Sequence, residues 1–254
     1  MATIRVLTFN MQFGQPWDTK VQDPPVDIEG TIKELKKHDV DFILLQEVEK
    51  VEREKGQINP PPNFTRIKEA LPEFDSYFCY PRADERELPF GFGLAILSKT
   101  KLVETVSIAL PAPDIKFSLH GKATSPTDRL IIGAKTSCFS KEIQLYNTHL
   151  QAYFMIGYSS EDYPLQREIV INQLKNSKLP TVIGGDFNIA PGESTVKQIE
   201  SLGFRTSQNE TTTWKRMSYI TDHIFFNEKI KLISSTISNT KTSDHNVLIA
   251  ELEL

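Results

Sequence analysis

Acidic, amide and imidazole side chains recur in this sequence at the ends of short apolar runs. Six segments share this arrangement, and their polar residues are Asn10, Gln46 with Glu47, Asn147 with His149, Asp186 with Asn188, Asp222 with His223, and Asp244 with His245. A single residue of this kind is usually a turn former or a helix cap. Six such coincidences favour one common site, because strand ends on one edge of a sheet converge on one crevice.

The residue types in these segments limit the chemistry of such a site. Several carboxylates in one crevice repel one another unless a cation lies between them, and hard oxygen ligands select Mg²⁺, Mn²⁺ or Ca²⁺ over zinc. The sequence has no glycine-rich nucleotide loop with its lysine, no Gly-x-Ser-x-Gly elbow and no paired-histidine zinc helix. The remaining set suits metal-assisted attack of water on a phosphate ester, with imidazoles donating hydrogen bonds and a carboxylate or histidine taking the proton.

The elements that must position these residues alternate between strand and helix patterns. Apolar runs predict strands over residues 4–9, 41–46, 143–148, 181–185, 220–226 and 247–252. Helical spacing of apolar residues predicts a helix that includes Ile28, Ile32 and Leu35, and another over 163–175. No repeat, linker or shift in composition divides the chain. We therefore predict one α/β domain over residues 1–254, with two packed sheets and helices outside.

The overall composition is that of an ordinary globular protein and excludes a strongly basic nucleic-acid binder. The 254 residues include 29 basic and 33 acidic side chains, which gives a formal net charge of −4. Two cysteines are too few for a disulfide framework. No window approaches the roughly 20 apolar residues that a membrane-spanning helix needs. We expect a cytoplasmic monomer with no integral membrane segment.

In order along the chain, the six segments resemble the motifs of the endonuclease/exonuclease/phosphatase superfamily. The matching stretches are Thr8-Phe9-Asn10, Leu45-Gln46-Glu47, Asn147-Thr148-His149-Leu150, Gly184-Gly185-Asp186-Phe187-Asn188, Thr221-Asp222-His223-Ile224-Phe225 and Ser243-Asp244-His245. Each motif alone is weak or moderately specific, whereas the ordered set along the whole chain is strong. The resemblance implies a four-layer α/β sandwich, in which two packed mixed β-sheets are flanked by helices.

A divalent metal cofactor follows from the same resemblance. Mg²⁺ is the expected ion, and Mn²⁺ is the alternative. The family pattern implies that Glu47 is the principal metal ligand and that Asn10 and Asp244 support it. The reaction it implies is hydrolysis of a phosphoric ester, most simply a phosphodiester.

Catalytic roles also follow from the resemblance, residue by residue. Asp186 would orient and deprotonate the attacking water, with Asn188 positioning the water and the phosphate. His245 would contact the phosphoryl oxygens while Asp222 holds its ring. His149 would be a second imidazole on the phosphate and an acid for the leaving group. The sequence leaves open whether Asp186 or His245 is the general base.

The stretch 147–152, Asn-Thr-His-Leu-Gln-Ala, indicates a branch within the superfamily. It resembles neutral sphingomyelinase, pancreatic deoxyribonuclease and tyrosyl-DNA phosphodiesterase more than the apurinic/apyrimidinic endonucleases. The substrate stays open among a nucleic acid, a phospholipid head group and a soluble phosphate ester. A catalytically silent binding or scaffold protein of the same fold is the alternative function, and the intact residue set argues against it.

Two further residues are candidates for substrate contacts. Arg167 lies on the second predicted helix, where the resembling branch has a recurrent arginine; a structural salt bridge is the alternative. Trp17 lies in the extended segment 11–27, which, like segment 49–63, follows a motif strand and should rim the site. Trp17 is suited to stack on a base or enter a lipid head-group region, and a plain surface loop is the alternative.

Overall fold

The structure, a computed structural model, describes residues 2–18, 20–21, 24–50, 56–84, 93–119 and 121–254. Parts of the two segments expected to rim the site, residues 19, 22–23 and 51–55, lie outside these ranges. The elements, in chain order, are β1 (Thr3–Asn10), α1 (Ile28–Lys36), β2 (Phe42–Gln46), α2 (Pro62–Ala70), β3 (Asp75–Cys79), β4 (Leu94–Ser98), β5 (Val103–Leu110), β6 (Phe117–Leu119), β7 (Lys122–Thr124), β8 (Arg129–Cys138), β9 (Lys141–His149), α3 (Leu165–Lys175), β10 (Thr181–Asp186), α4 (Thr195–Glu200), β11 (Phe204–Thr206), β12 (Asp222–Asn227), β13 (Lys231–Ser238) and β14 (Val247–Glu253).

The helices are short, and α3 begins two residues later than the sequence pattern predicts. Its first helical residue is Leu165, because the residue before a proline, here Tyr163 before Pro164, is biased away from helical geometry. Within the described ranges, no helix has both the length and the apolar character needed to cross a membrane.

Two six-stranded sheets form the centre of the fold. Sheet 1 has the order β13-β14-β1-β2-β4-β3, and sheet 2 has the order β11-β12-β10-β9-β8-β5. Each contains one parallel pair, β1 with β2 and β9 with β10, among antiparallel neighbours. Both sheets are therefore mixed, as expected, and β6 and β7 form a small separate hairpin.

Three apolar clusters divide the molecule into layers. The cluster between the sheets includes Val6 of sheet 1 and Val182 of sheet 2. Alternate side chains of sheet 1 pack outward against α1 and α2, where Ile32 is buried. On the far side, Val170 of α3 packs in a cluster with Ile183. The order helix, sheet, sheet, helix confirms the predicted four-layer α/β sandwich.

Strand register brings the polar ends of several strands to one edge. In sheet 1, Asn10 is paired with Gln46, directly before Glu47. In sheet 2, Asp186 is paired with His149 on one side and with Asp222 on the other. The parallel pairs thus place carboxyl ends side by side, as the crevice argument from the sequence expects.

The two glycines before Asp186 allow β10 to pack closely. A Cβ on Gly184 would lie 2.6 Å from Leu44 Cδ1 of the facing sheet. A Cβ on Gly185 would lie 2.1 Å from the carbonyl oxygen of Thr148 on β9, which no side chain can tolerate. Glycine is required at 185 for the approach that sets Asp186 beside the end of β9.

Gln46 and Asn147 join the sheets at the same edge. Gln46 Nε2 donates to Asn147 Oδ1 at 2.7 Å. Asn147 Nδ2 donates to the carbonyl oxygens of Leu45 and Ala95 at 2.8 and 2.9 Å. Both side chains are fully buried, so each needs these partners. These two residues of the six segments therefore tie one sheet to the other.

We predict that Asn147→Ala destabilises the fold strongly. The change leaves two buried carbonyl oxygens and the Gln46 amide without their partner, which should lower the free energy of unfolding by about 2–4 kcal/mol. Urea denaturation followed by circular dichroism measures this. Asn176→Ala, at an exposed position, is the matched control and should change stability by less than about 0.5 kcal/mol. A loss below about 1 kcal/mol for Asn147→Ala would contradict the inter-sheet role.

Candidate active site

Asn10 links two carboxylates that come from different sheets. Its Nδ2 donates to Glu47 Oε1 at 3.1 Å and to Asp186 Oδ2 at 3.0 Å. Its Oδ1 accepts the backbone N–H of Gln12 at 3.1 Å. Asn10 and Asp186 are only 1% and 2% exposed. The two acidic groups therefore meet in a buried place at the edge where the sheets join.

Backbone turns aim the side chains that follow β2 and β10. Glu47 has φ +48° and Asn188 has φ +47°, in the left-handed region that residues other than glycine seldom occupy. Hydrogen bonds hold both turns: Phe13 N donates to Glu47 O at 2.8 Å, and Asn188 N donates to Asp186 Oδ1 at 3.0 Å. Asn188 Nδ2 also donates to Leu150 O at 2.9 Å. Such conformations persist where the surrounding structure enforces them, typically at functional sites.

Glu47 and Asp186 lie where a negative charge is costly. Burial, and then the charge of Asp244, raises the pKa of Glu47 to about 7. Burial, and then the charge of Asp222, raises the pKa of Asp186 to about 7. Carboxylate and amide oxygens are the ligands that Mg²⁺ and Mn²⁺ prefer. The donor set and its uncompensated negative charge therefore fit a divalent cation.

His245 forms an ion pair with Asp222. Its Nδ1 donates to Asp222 Oδ2 at 2.8 Å, and the same oxygen accepts the Thr221 hydroxyl at 3.1 Å. The Nε2 atom faces Asp186 Oδ2 at 3.7 Å and Asp244 Oδ1 at 4.0 Å. Burial alone would lower the pKa of His245, but the charges of Asp222 and Asp186 outweigh it and raise that pKa to about 10. The surrounding carboxylates thus favour the protonated form of the ring.

Three of these residues have the spacing of a metal site by themselves. One ligand atom each from Asp186, Asp222 and His245 lie within 4.8 Å of one another. His245 Nδ1 donates to Asp222 Oδ2 at 2.8 Å, so two of these three groups also satisfy each other directly. Glu47, the principal ligand that the resemblance implies, is not a member of this group, and its role in metal binding stays a prediction.

Asp244 is held by an arginine and a tryptophan that no sequence motif indicated. Its Oδ2 accepts Trp214 Nε1 at 3.1 Å and Arg216 Nε at 2.5 Å. Burial alone would raise the pKa of Asp244, but His245 and then Arg216 hold it below its usual value. The Arg216 guanidinium lies 4.9 Å from the centre of the Trp17 ring. This stack brings Trp17 to the edge of the site.

His149 is the second imidazole of the site and is neutral. Its Nε2 lies 3.5 Å from Asp186 Oδ2 and 3.8 Å from Glu47 Oε1. Burial, and then the charge of Arg129, lowers the pKa of His149 well below its ordinary value. Arg129 is buried at the start of β8 and donates to Gln151 Oε1 at 3.1 Å. Nothing in the sequence around Arg129 marked it.

Arg167 lies on α3 in an ion pair outside the contacts described so far. Its guanidinium donates to both carboxylate oxygens of Glu161, at 2.9 and 3.3 Å. Glu161 also accepts the backbone N–H of Ser194 at 2.6 Å, next to α4. Arg167 therefore fastens the segment before α3 to the start of α4, and substrate contact by Arg167 stays a prediction.

His223 also points away from the two carboxylates. Its ring stacks on Phe225, with 5.1 Å between centroids, and its Nδ1 bonds with the Thr206 hydroxyl at 3.1 Å. Burial lowers the pKa of His223 to about 4. The ring is thus a neutral packing residue on the helix-covered face of sheet 2.

The geometry gathers eight predicted residues at one edge: Asn10, Glu47, His149, Asp186, Asn188, Asp222, Asp244 and His245. A family model described as the Endonuclease/Exonuclease/phosphatase family matches residues 7–245. The chain belongs to this family. Members of the endonuclease/exonuclease/phosphatase family are phosphoric ester hydrolases, and the possible metal group in this chain agrees with their general use of divalent ions.

Solved structures of family members are similar to this chain over its whole length. An endonuclease/exonuclease/phosphatase from Bacteroides vulgatus has 18% identity and a TM-score of 0.74, with 100% of both chains covered. The human Nocturnin catalytic domain with bound sulfate has 20% identity and a TM-score of 0.69, covering 99% of this chain and 94% of its own. The mannosyl-6-phosphatase Bt3783 of Bacteroides thetaiotaomicron has 17% identity and a TM-score of 0.68, covering 99% and 100%. At these identities the likeness is one of fold. No curated protein sequence matches.

We predict that Mg²⁺ and Mn²⁺ bind the isolated protein and that Glu47→Gln weakens binding by at least roughly 10–100-fold, because a charged ligand is lost. Calorimetric titration measures the Kd, and the rise of Tm with metal gives an independent reading.

The matched control for this titration is Glu49→Gln. Glu49 is a second buried carboxylate two residues away, and burial raises its pKa to about 7. It accepts the backbone N–H of Phe64 at 2.8 Å at the start of α2. Its removal should lower Tm but leave the Kd for metal within a factor of about two to three, since it lies outside the Asn10 contacts. Equal Kd values for wild type and Glu47→Gln would show that the metal site has been misplaced.

Proposed function

We propose that the protein is a divalent-metal-dependent phosphodiesterase that hydrolyses its substrate by attack of an activated water. The observation that carries this proposal is the pair of carboxylates that accept from Asn10, one from each sheet. The Nε2 atoms of two histidines lie within 4 Å of these carboxylates. A site of this composition can bind an anionic phosphate and accept a proton at once. We infer that Glu47 and Asp244 hold the ion, with Mg²⁺ as the metal and Mn²⁺ as the substitute. Asn10 joins them when its amide is turned so that Oδ1 replaces Nδ2 beside the carboxylates. When bound, such an ion polarises a phosphoryl oxygen and offsets negative charge.

Asp186 is the general base in this proposal. Its Oδ2 lies at the centre of the site, 3.0 Å from Asn10 Nδ2 and 3.5 Å from His149 Nε2. The carboxylates around His245 favour its protonated ring, which supports Asp186 as the base between the two candidates that the sequence leaves open. Asn188, bonded through its N–H to Asp186 Oδ1, keeps that carboxylate oriented toward the water.

The two histidines have different roles toward the phosphate in this proposal. His245, charged and fixed by Asp222, donates from Nε2 to a phosphoryl oxygen and stabilises the charge that develops there. His149 is buried, which favours its neutral form, and it places an uncharged N–H beside the phosphate. A neutral ring at this position does not repel the positively charged ring of His245. The leaving oxygen takes its proton from the charged His245, because a neutral imidazole such as His149 is too weak an acid to give one up. The proton that Asp186 took from the water returns to His245 Nε2, 3.7 Å from Asp186 Oδ2, when the product leaves, so both groups regain their starting charge.

We predict chelator-sensitive hydrolysis of bis-p-nitrophenyl phosphate in the presence of Mg²⁺ or Mn²⁺. Asp186→Asn should lower kcat steeply at every metal concentration. His245→Ala should lower kcat by about 10²–10³, because one preorganised donor to the developing charge is lost. Glu47→Gln should regain part of its activity at high metal, since its defect is in metal affinity.

The control for these variants is Asp162→Asn, at an exposed position, which should keep the wild-type rate. If no chelator-sensitive hydrolysis of phosphodiesters or phosphomonoesters is found, the enzyme proposal is wrong, and a catalytically silent binding or scaffold protein is favoured instead. Near-normal rates for both Asp186→Asn and His245→Ala would show that the catalytic residues have been misassigned.

We predict that Trp17 contributes to substrate binding rather than to chemistry. Trp17→Ala should raise KM by about three- to tenfold and leave kcat nearly unchanged, because one stacking surface of about 1 kcal/mol is lost at the site edge. The measurement uses a panel of abasic duplex, single-stranded DNA, RNA, sphingomyelin and inositol phosphates under Mg²⁺. Phe139→Ala is the control, since Phe139 is 63% exposed and follows β8 at the opposite end of the sheet. An unchanged KM for the preferred substrate would remove Trp17 from the binding surface.

A further inference from the structure

Lys215 is a half-buried lysine that none of the sequence motifs contains. Its Nζ donates to three backbone carbonyl oxygens, those of Thr240 at 2.7 Å, Ser243 at 2.6 Å and His245 at 2.9 Å. An ammonium group has three N–H donors, so these contacts use all of them. The three acceptors belong to one loop, residues 240–246, which leads into β14.

The backbone beside Lys215 holds the same loop. Lys215 N donates to Asp244 O at 2.9 Å, and Asn246 N donates to Thr213 O at 2.8 Å. Trp214 forms an antiparallel bridge with His245 between these two bonds. The 240–246 loop is therefore clamped along its length by a short extended segment and by the ammonium group at its centre.

Three carbonyl oxygens that point at one atom repel one another unless a cation lies between them. Exchange of the ammonium for an uncharged group would leave these oxygens without a donor and push the loop apart. The loop also reaches β1, because the Ser243 hydroxyl donates to Asn10 O at 2.7 Å. A displaced loop would therefore move Asp244 and His245 relative to Asn10.

We propose that Lys215 is a positioning residue, whose ammonium group fixes the 240–246 loop so that the Asp244 carboxylate and the His245 imidazole meet the rest of the site. The proposal rests on the phosphodiesterase function proposed above. It differs from a purely stabilising role, because it requires that the loop geometry set by Lys215 control metal binding and turnover below the unfolding temperature.

The test compares Lys215→Met, which keeps the length of the side chain but has no donor, with Lys241→Met at an exposed position of the same loop. Hydrogen exchange of the peptide 240–246 in the metal-free protein should be faster in Lys215→Met and unchanged in Lys241→Met. The kcat of Lys215→Met should fall by about 10–100-fold with KM within threefold, because small misplacements of catalytic groups cost this much. The Kd of Lys215→Met for Mn²⁺ should rise, because Asp244, a proposed metal ligand, is displaced with the loop.

Repeating the comparison in a His245→Ala protein separates positioning of His245 from a general loss of stability or activity. In a His245→Ala protein, the further loss caused by Lys215→Met should shrink to a small factor, since its main target is gone. An equal fold-loss of kcat in the wild-type and His245→Ala proteins would overturn the proposal. Two results for Lys215→Met alone would also overturn it: unchanged hydrogen exchange of the 240–246 loop, or faster exchange with a wild-type kcat and a wild-type Kd.

If Lys215→Met does not fold, Lys215→Gln, which keeps one donor group, should show intermediate exchange and kcat, and wild-type values would overturn the proposal. If the wild type has no phosphoesterase activity, the proposed function fails by itself. Loop exchange and the Kd for Mn²⁺ then still decide whether Lys215 positions Asp244.

Discussion

Two carboxylates, one from each sheet, accept hydrogen bonds from the amide of Asn10, and the cost of their negative charge shapes the rest of the site. Glu47 and Asp186 gain only part of the stabilisation they need from that amide, since burial keeps the pKa of both raised. A buried charge that is not matched by an opposite one is costly, and the structure meets this cost partly with protein cations. His245 faces Asp186, and Arg216 is bonded to Asp244. The divalent ion proposed above would offset more of this negative charge.

The same electrostatic constraint separates the two histidines. His245 has Asp222 directly on its ring, and its positive charge is stabilised. His149 has the positive charge of Arg129 nearby and is kept neutral by burial. Burial with a nearby arginine on one side, and a carboxylate partner on the other, thus shift the pKa values of two identical side chains in opposite directions. Both rings lie within 4 Å of the same Asp186 oxygen. Environment divides roles between chemically equal groups in this way in other active sites.

Sequence pattern predicts the part of this arrangement that is local. Apolar runs locate the strands, and the polar residue that ends each run locates the site, because strand ends share an edge. Pattern does not say which way a strand-end side chain points. Gln46 ends β2 between the sheets and binds Asn147, whereas Glu47, one residue later, turns into the site through a positive φ. The sequence does not predict that Arg216 binds Asp244, and it leaves open whether Arg167 forms a salt bridge, which it does with Glu161. Contacts between residues on different elements leave no trace in local spacing.

The site forms only after the first strand of the chain, β1, has paired with the last, β14. The Ser243 hydroxyl binds the carbonyl oxygen of Asn10 across 233 residues of sequence, and β1 pairs with β14 along its length. During synthesis the ribosome releases Asn10 and Glu47 long before the loop that carries Asp244 and His245. The nascent chain must therefore hold an open sheet edge beside β1 until translation reaches β14, and this edge is exposed to wrong pairing meanwhile. A chain that ends before Asp244 lacks both Asp244 and His245, and it leaves β1, a central strand of sheet 1, unpaired on one side.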